Sequence, residues 1–282
     1  MSKTKRRDIP HFKTPIIETH CHLDYLEQTE LAITLEKSRQ VGIERIITIA
    51  VSADNLDSVM KLARSSPDIW GTQGIHPHEA ESYTPKIDAI IRKNAAHAKI
   101  LAVGEIGLDY YYDHADRAVQ RHVFEQQLQT AIELDLPVVI HTREADDDTR
   151  EILKNCGASL SRKGVIHSFT SSLALAEFCL AEGFMLGFNG ITTFNSADNV
   201  RRVVAATPMP QLLLETDAPY LTPVPYRGRP NAPYYLPFIA ETLASIKEVD
   251  IEDLLQQAYR NSLEVFFSGI EEIQATTSAA PS

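Results

Sequence analysis

The chain is 282 residues long, 44% hydrophobic and 23% charged, ordinary proportions for a globular protein of one large domain or two small ones. Its formal charge of −11 argues against a broad basic face for nonspecific nucleic-acid binding, while leaving room for a local grip on phosphate by metals and a few arginines. No apolar run approaches the roughly 18 residues of a membrane span, so no membrane partner is expected.

The start, MSKTKRRDIPHFK, is basic and lacks the apolar stretch of a secretory signal. Cys21, Cys156 and Cys179 are odd in number and far apart, which fits neither a disulfide framework nor a Cys-type zinc site; a reducing cytoplasm is the expected compartment. Residues 1–13 read as a disordered basic tail and 269–282 as a disordered C-terminal tail, leaving one domain over 14–268.

The first predicted strand is PIIETHCH, from Pro15. Glu18, His20 and His22 stand on alternate positions, so they share one face. Three polar groups on an inward face are costly without partners, and both a metal site and a structural polar cluster would explain them. A helical pattern over Leu31–Val41 follows, then strand RIITIAV from Arg45 and a helix over Asn55–Ser65. Next come strands IWGTQGIHP from Ile69 and ILAVGEIGLDY from Ile100, and a helix over Ala115–Leu134. Strands PVVIHTRE from Pro137 and GVIHSF from Gly164 precede a helix over Leu173–Glu182. Strands FMLGFNGI from Phe184 and QLLLETDAP from Gln211 lead into a Pro-rich loop and helices near Leu236–Lys247 and Ile251–Phe267.

Eight strands alternating with helices predict an α/β fold, a (β/α)₈ TIM barrel. The rival is a doubly wound open sheet, whose first turn would carry a Gly-rich phosphate loop where this chain has His20 and His22. In a barrel the C-terminal strand ends meet at one mouth. They carry His20 and His22, His76, Glu105, His141, His167 and Asp217. Val103 and Glu105 share a face by parity, as do Val139 and His141, Val165 and His167, and Leu213, Glu215 and Asp217. His97, His114 and His122 fall in helical patterns and read as surface residues.

Buried ionisable groups need partners, and metal ions are the natural ones. Four imidazoles (His20, His22, His141, His167) and two carboxylates (Glu105, Asp217) are too many for one tetrahedral ion and suit a pair. Each metal takes two histidines, Glu105 bridges, and Asp217 binds one ion beside the attacking water. A nitrogen–oxygen set without thiolate suits zinc, manganese or iron(II), and magnesium less well. The reaction class implied is metal-assisted hydrolysis.

THCHLD, GIHPH, GEIGLDYYYD, IHTREA, IHSFTSS and LLLETDAPYLTPVPYRGRPN, in this order, resemble the signature segments of the TatD family of metal-dependent hydrolases, over about Pro15 to Phe267. The resemblance implies an amidohydrolase-like barrel and a metal-dependent deoxyribonuclease, several of whose relatives are 3′→5′ exonucleases. It implies His20 and His22 as ligands of a first metal, completed by Asp217, which also handles the proton of the attacking water. His141 and His167 would bind the second, and Glu105 would bridge where many related barrels carry a carboxylated lysine. It also points to His76, His78, Arg143 and Arg227 around the substrate phosphate, with DNA as partner.

Two positions depart from the family pattern. Glu18 stands where Asp is usual, and Pro230-Asn231-Ala232-Pro233 replaces a basic residue followed by Asn-Glu-Pro. By parity Glu18 and Glu215 lie one layer below the ligands, where a carboxylate either orients a metal-bound imidazole or bonds only to backbone. Hydrolysis of another ester or amide is the competing enzymatic reading, and a noncatalytic barrel scaffold the third. Arg143, Arg227 and Arg229 favour phosphate over a neutral ester. The sequence leaves the oligomeric state open.

Overall fold

The computed structural model describes residues 6–268. The disorder expected at 1–5 and 269–282 lies outside the described residues. Eight parallel strands follow one another in chain order: β1 Ile16–Cys21, β2 Ile43–Thr48, β3 Ile69–Gln73, β4 Ile100–Asp109, β5 Val138–Arg143, β6 Gly164–Ile166, β7 Met185–Phe188 and β8 Leu212–Leu214. Helices alternate with them: α1 Gln28–Gln40, α2 Leu56–Ser65, α3 Pro85–Ala95, α4 Arg117–Leu134, α5 Asp146–Cys156, α6 Leu173–Ala181, α7 Asp198–Ala206, α8 Leu236–Lys247 and α9 Ile251–Ser262. This is the expected (β/α)₈ barrel. Among the described residues no helix is long and apolar enough to cross a membrane.

β1 and β8 share no continuous ladder, and the seam between them is closed by other means. Asp217 donates its N–H to the His20 carbonyl and His22 donates to that of Ala218, both at 2.8 Å. The Thr19 hydroxyl donates to the Leu214 carbonyl at 2.8 Å. Glu18 spans the same gap, its Oε1 accepting from the backbone N–H groups of His20 (3.0 Å) and Thr216 (2.9 Å).

Two apolar layers flank the sheet. Outward-facing strand residues such as Ile16, Val103, Val138 and Leu212 pack on helix residues including Phe124, Leu128 and Leu243. Inside, Ile17, Ile47, Ile49, Leu101, Val139, Val165 and Leu213 pack on Val265, Phe266 and Phe267 of a terminal π-helical turn, Leu263–Phe267. That turn plugs one end of the barrel, so the opening lies at the other.

Residues 6–13, expected to be part of a disordered tail, run against the barrel instead. Arg7 pairs with Glu241, and its guanidinium lies 4.9 Å over the Phe238 ring. The N–H of Lys13 donates to Glu252 Oε1 at 2.8 Å. These partners lie more than 200 residues away, beyond the reach of a local reading.

Candidate metal centre

Seven ionisable side chains from six strands converge at the open end: His20, His22, His76, Glu105, His141, His167 and Asp217. Six of them were expected to be ligands; His76 was expected beside a substrate phosphate. His20 and His141 lie on β1 and β5, whereas His22, His76, His167 and Asp217 lie just past the ends of their strands. Glu105 lies inside β4, at a register irregularity against β5 between Gly104 and Ile106. The expected parity fails there: Val103 packs outward in the helix layer while Glu105 turns inward, as a bulge re-aims a side chain. Asp217 also stands outside simple alternation, three residues beyond β8 at φ +58°, a left-handed backbone that Asp tolerates better than most residues.

Glu105 is the hub. Its Oε1 lies 2.7 Å from His167 Nε2, 3.1 Å from His141 Nδ1 and 3.4 Å from His76 Nε2, and its Oε2 lies 3.3 Å from His20 Nε2. On the other side Asp217 Oδ1 lies 3.5 Å from His22 Nε2 and 3.7 Å from His20 Nε2. The His20 and His167 rings stack at 3.8 Å, within 5° of parallel. Three ligand groups result: His20, His22 and Asp217; His20, Glu105 and His167; His76, Glu105 and His141. His76 thus shares a carboxylate oxygen with His141 in the cluster itself.

Burial raises the Glu105 carboxyl, but the charges at His167 and His76 and the bonds from His141 and His167 carry it well below the usual range. Burial raises Asp217 as well, but the bond from His22 together with the charges of His20, His167 and His22 lowers it overall. Burial and then the charge of His167 lower His20, and burial holds His76 well below an ordinary imidazole. His22, His141 and His167 go up, because Asp217, Asp109 and Glu105 outweigh their burial. Without an ion the carboxylates are balanced by protons on the raised imidazoles; a divalent cation would displace those protons and take their place as the balancing charge. The unpartnered atoms fit such a cation: both ring nitrogens of His20, and Nδ1 of His22 and of His167, are buried without a hydrogen bond. The donor set is all nitrogen and oxygen, suited to a borderline or hard divalent ion.

The TatD related DNase family profile matches residues 17–267. This chain belongs to the TatD-related DNase family. The Uncharacterized metal-dependent hydrolase YabD of Bacillus subtilis is 35% identical over 252 residues, 89% of this chain and 98% of that protein. The 3'-5' ssDNA/RNA exonuclease TatD of Erwinia tasmaniensis is 34% identical, covering 82% of this chain and 92% of its own. The crystal structure of YJJV, a TatD homolog from Escherichia coli, superposes with a TM-score of 0.84 at 31% identity, covering 89% of this chain and 97% of that one. The chain is a metal-dependent hydrolase of the TatD-related family.

Around the clustered residues lies a cavity of about 740 Å³, lined among others by Tyr25, His78, Arg143 and Tyr220. His78 and Arg143 thus stand beside the cluster. Arg227 is not among the lining residues; it is exposed, with its guanidinium 3.9 Å over the Phe194 ring. Glu18 meets no imidazole nitrogen: its Oε1 is taken by the two backbone N–H groups at the seam, and its Oε2 has no partner. Of the two arrangements considered for Glu18, the backbone-bonded one is observed. Glu215 does approach a ring, with Oε1 3.6 Å from His167 Nδ1 while accepting the Ser168 N–H at 2.6 Å. Gly187 makes room for it, since a Cβ there would overlap the Glu215 carboxylate. His114, expected on a helix, lies in the loop before α4 with its ring 4.6 Å from that of His78.

Sequence reasoning passed over Asp109. This buried carboxylate ends β4, and its Oδ2 lies 2.9 Å from His78 Nε2 and 3.0 Å from His141 Nε2. Its Oδ1 accepts the N–H groups of Tyr111 and Tyr112. Burial pushes its carboxyl up, but the bonds from His141 and His78 carry it far down, so it is ionised and fixes the orientation of both rings. The available signal was the rule used elsewhere, an ionisable residue at a strand's C-terminal end, applied to the last residue of a longer β4.

Proposed function

We propose that this chain is a dinuclear-metal phosphodiesterase that removes nucleotides from the 3′ ends of single-stranded DNA. His20, His22 and Asp217 would hold one ion, His141 and His167 the other with His76 beside them, and Glu105 would lie between the two. Bound divalent ions would supply an activated water and neutralise charge building on the phosphoryl oxygens. Asp217, whose side chain is 14% exposed against 4% for Glu105, is open to the cavity, where its carboxylate would accept a proton from such a water. Asp109 holds His141 in one tautomer, and its bond to His78 leaves that ring presented to the cavity beside Arg143. Arg143 offers phosphate its planar fork of donors.

The observation that carries this reading is the division of Glu105: three imidazoles on one oxygen and, on the other, a fourth that also lies 3.7 Å from Asp217. The name of the Erwinia relative supports single-stranded DNA or RNA as substrate. The test is a chelated preparation, reconstituted separately with zinc, manganese and magnesium, and offered single-stranded DNA and RNA labelled at either end and a panel of carboxyl esters. Stepwise shortening of 5′-labelled DNA is expected, abolished by chelation. Turnover of the esters with intact nucleic acid would overturn the assignment in favour of a different hydrolase.

A further inference from the structure

A second cavity, of about 490 Å³, shares a wall with the central one at Arg143 and Thr170. Arg202, on α7, and Asn199 also line it. Arg143 is held by its flat face, its guanidinium 3.9 Å over Tyr111 and 4.8 Å over Tyr112. Stacking of this kind leaves the in-plane N–H donors free. Among the described residues Arg143 and Arg202 have no hydrogen-bond acceptor or ion-pair partner, whereas neighbouring Arg201 is spent on Asp198 and on the carbonyls of Thr192 and Phe194. Two unengaged guanidiniums on one cavity call for an anion with several oxygens, and a phosphate matches their geometry.

The cavity is not simply basic. Asp146 lines it too, but its carboxylate already accepts the Ser172 N–H at 3.1 Å. Glu144, also in the lining, has no hydrogen-bond partner among the described residues. A ligand with phosphate at one place and donors at another, such as a sugar hydroxyl or a base amine, satisfies both kinds of group. The volume lies within the range of about 300–1,000 Å³ usual for small-ligand sites.

We propose that this cavity is a second nucleotide subsite, in which Arg202 and Arg143 grip the phosphate next to the one being cleaved. The inference rests on the phosphodiesterase reading of the central cluster. Arg143, in the shared wall, reaches both phosphates, and Arg202 only the second. The enzyme therefore measures whether the strand continues past the scissile bond, and it favours chains with at least two phosphates over an isolated diester.

The experiment compares kcat/KM of the metal-loaded enzyme on a dinucleoside monophosphate and on a trinucleoside diphosphate of the same bases. The two-phosphate substrate is expected to be preferred roughly tenfold to a hundredfold, the usual worth of a charge-assisted contact. Arg202→Ala brings that ratio close to one, chiefly through KM, and Arg202→Lys restores part of it. The slope of log KM against log salt for the longer substrate also falls by about one in Arg202→Ala, a change that a purely structural residue would not produce. Equal kcat/KM on both substrates in the wild type, or an undiminished ratio in Arg202→Ala, overturns the subsite alone. Hydrolysis of neither substrate overturns the phosphodiesterase reading and the subsite with it.

Discussion

At the closed end of the barrel Val139, Val165 and Leu213 pack on Phe266 and Phe267, and every one of these side chains is at least nine-tenths buried in apolar surroundings. Two residues further along the chain from each stand His141, His167 and Glu215, the last two buried and His141 partly open to the cavity, all surrounded by other ionisable groups. The closed end satisfies itself by packing alone, which contributes roughly 25 cal/mol per Å² of apolar surface removed from water. The open end leaves buried nitrogens and carboxylate oxygens without partners, and it places Asp217 on left-handed backbone. One end of each strand is built for stability, the other for a ligand the chain does not itself supply. Substitutions at the two ends should therefore fail in different measurements.

The largest effect is expected at Asp217. Asp217→Asn should cost roughly 10²–10⁴-fold in hydrolysis, because it removes a ligand charge and the proton acceptor together. The metal-free variant should unfold at a denaturant concentration no lower than the wild type. Loss of stability in step with the rate would break the division between the two ends.

Phe266→Ala is the mirror image. Emptying a fully buried aromatic position should destabilise the fold by about 3–5 kcal/mol, read by denaturant unfolding, with the rate per folded molecule preserved. Asp109→Asn should show a smaller effect on the functional side: metal affinity or rate falling roughly 10–100-fold while the unfolding midpoint holds. Titration with metal followed by a rate assay separates the two contributions.

Glu18 sharpens the boundary, since it sits beside the ligands yet bonds to His20 and Thr216 backbone N–H groups and to no imidazole nitrogen. Burial pushes its carboxyl from an ordinary 4.5 up to about 8 in the metal-free protein. Between those values the folded chain keeps a proton that the unfolded chain releases, so stability present at lower pH is lost as pH rises through about 8. Glu18→Gln keeps an oxygen for the His20 and Thr216 N–H groups and removes the titration. The variant should retain wild-type hydrolysis and show a flatter fall in stability across this window, measured by urea unfolding at several pH values. A tenfold or greater loss of metal affinity would instead make Glu18 part of the metal site.

Much of this was legible in the sequence because the barrel repeats one pattern. β3, β4 and β6 begin at Ile69, Ile100 and Gly164, where apolar β-branched runs begin, and α8 spans the predicted Leu236–Lys247. Six of the eight strand ends announced an ionisable residue. What strict alternation missed lies where the backbone departs from it. Glu105 reaches the interior through a register irregularity, so it faces opposite to Val103. Ile17 and His20 both point inward across an irregularity between Glu18 and Cys21, so Glu18 was expected one layer below a ligand and instead closes the seam. Arg227 was expected at the phosphate on the strength of a motif, but Phe194, distant in sequence, holds its guanidinium. The packing of residues 6–13 depends on Glu241 and Glu252, which no local window contains.

The central claim is that Glu105 joins two metal ions, and metal stoichiometry measured together with rate tests it most directly. Wild-type protein, reconstituted and freed of loose metal, should hold two ions per chain. Glu105→Ala should lose most of the metal and all measurable hydrolysis while remaining folded. Two ions per chain and a wild-type rate in Glu105→Ala would contradict it.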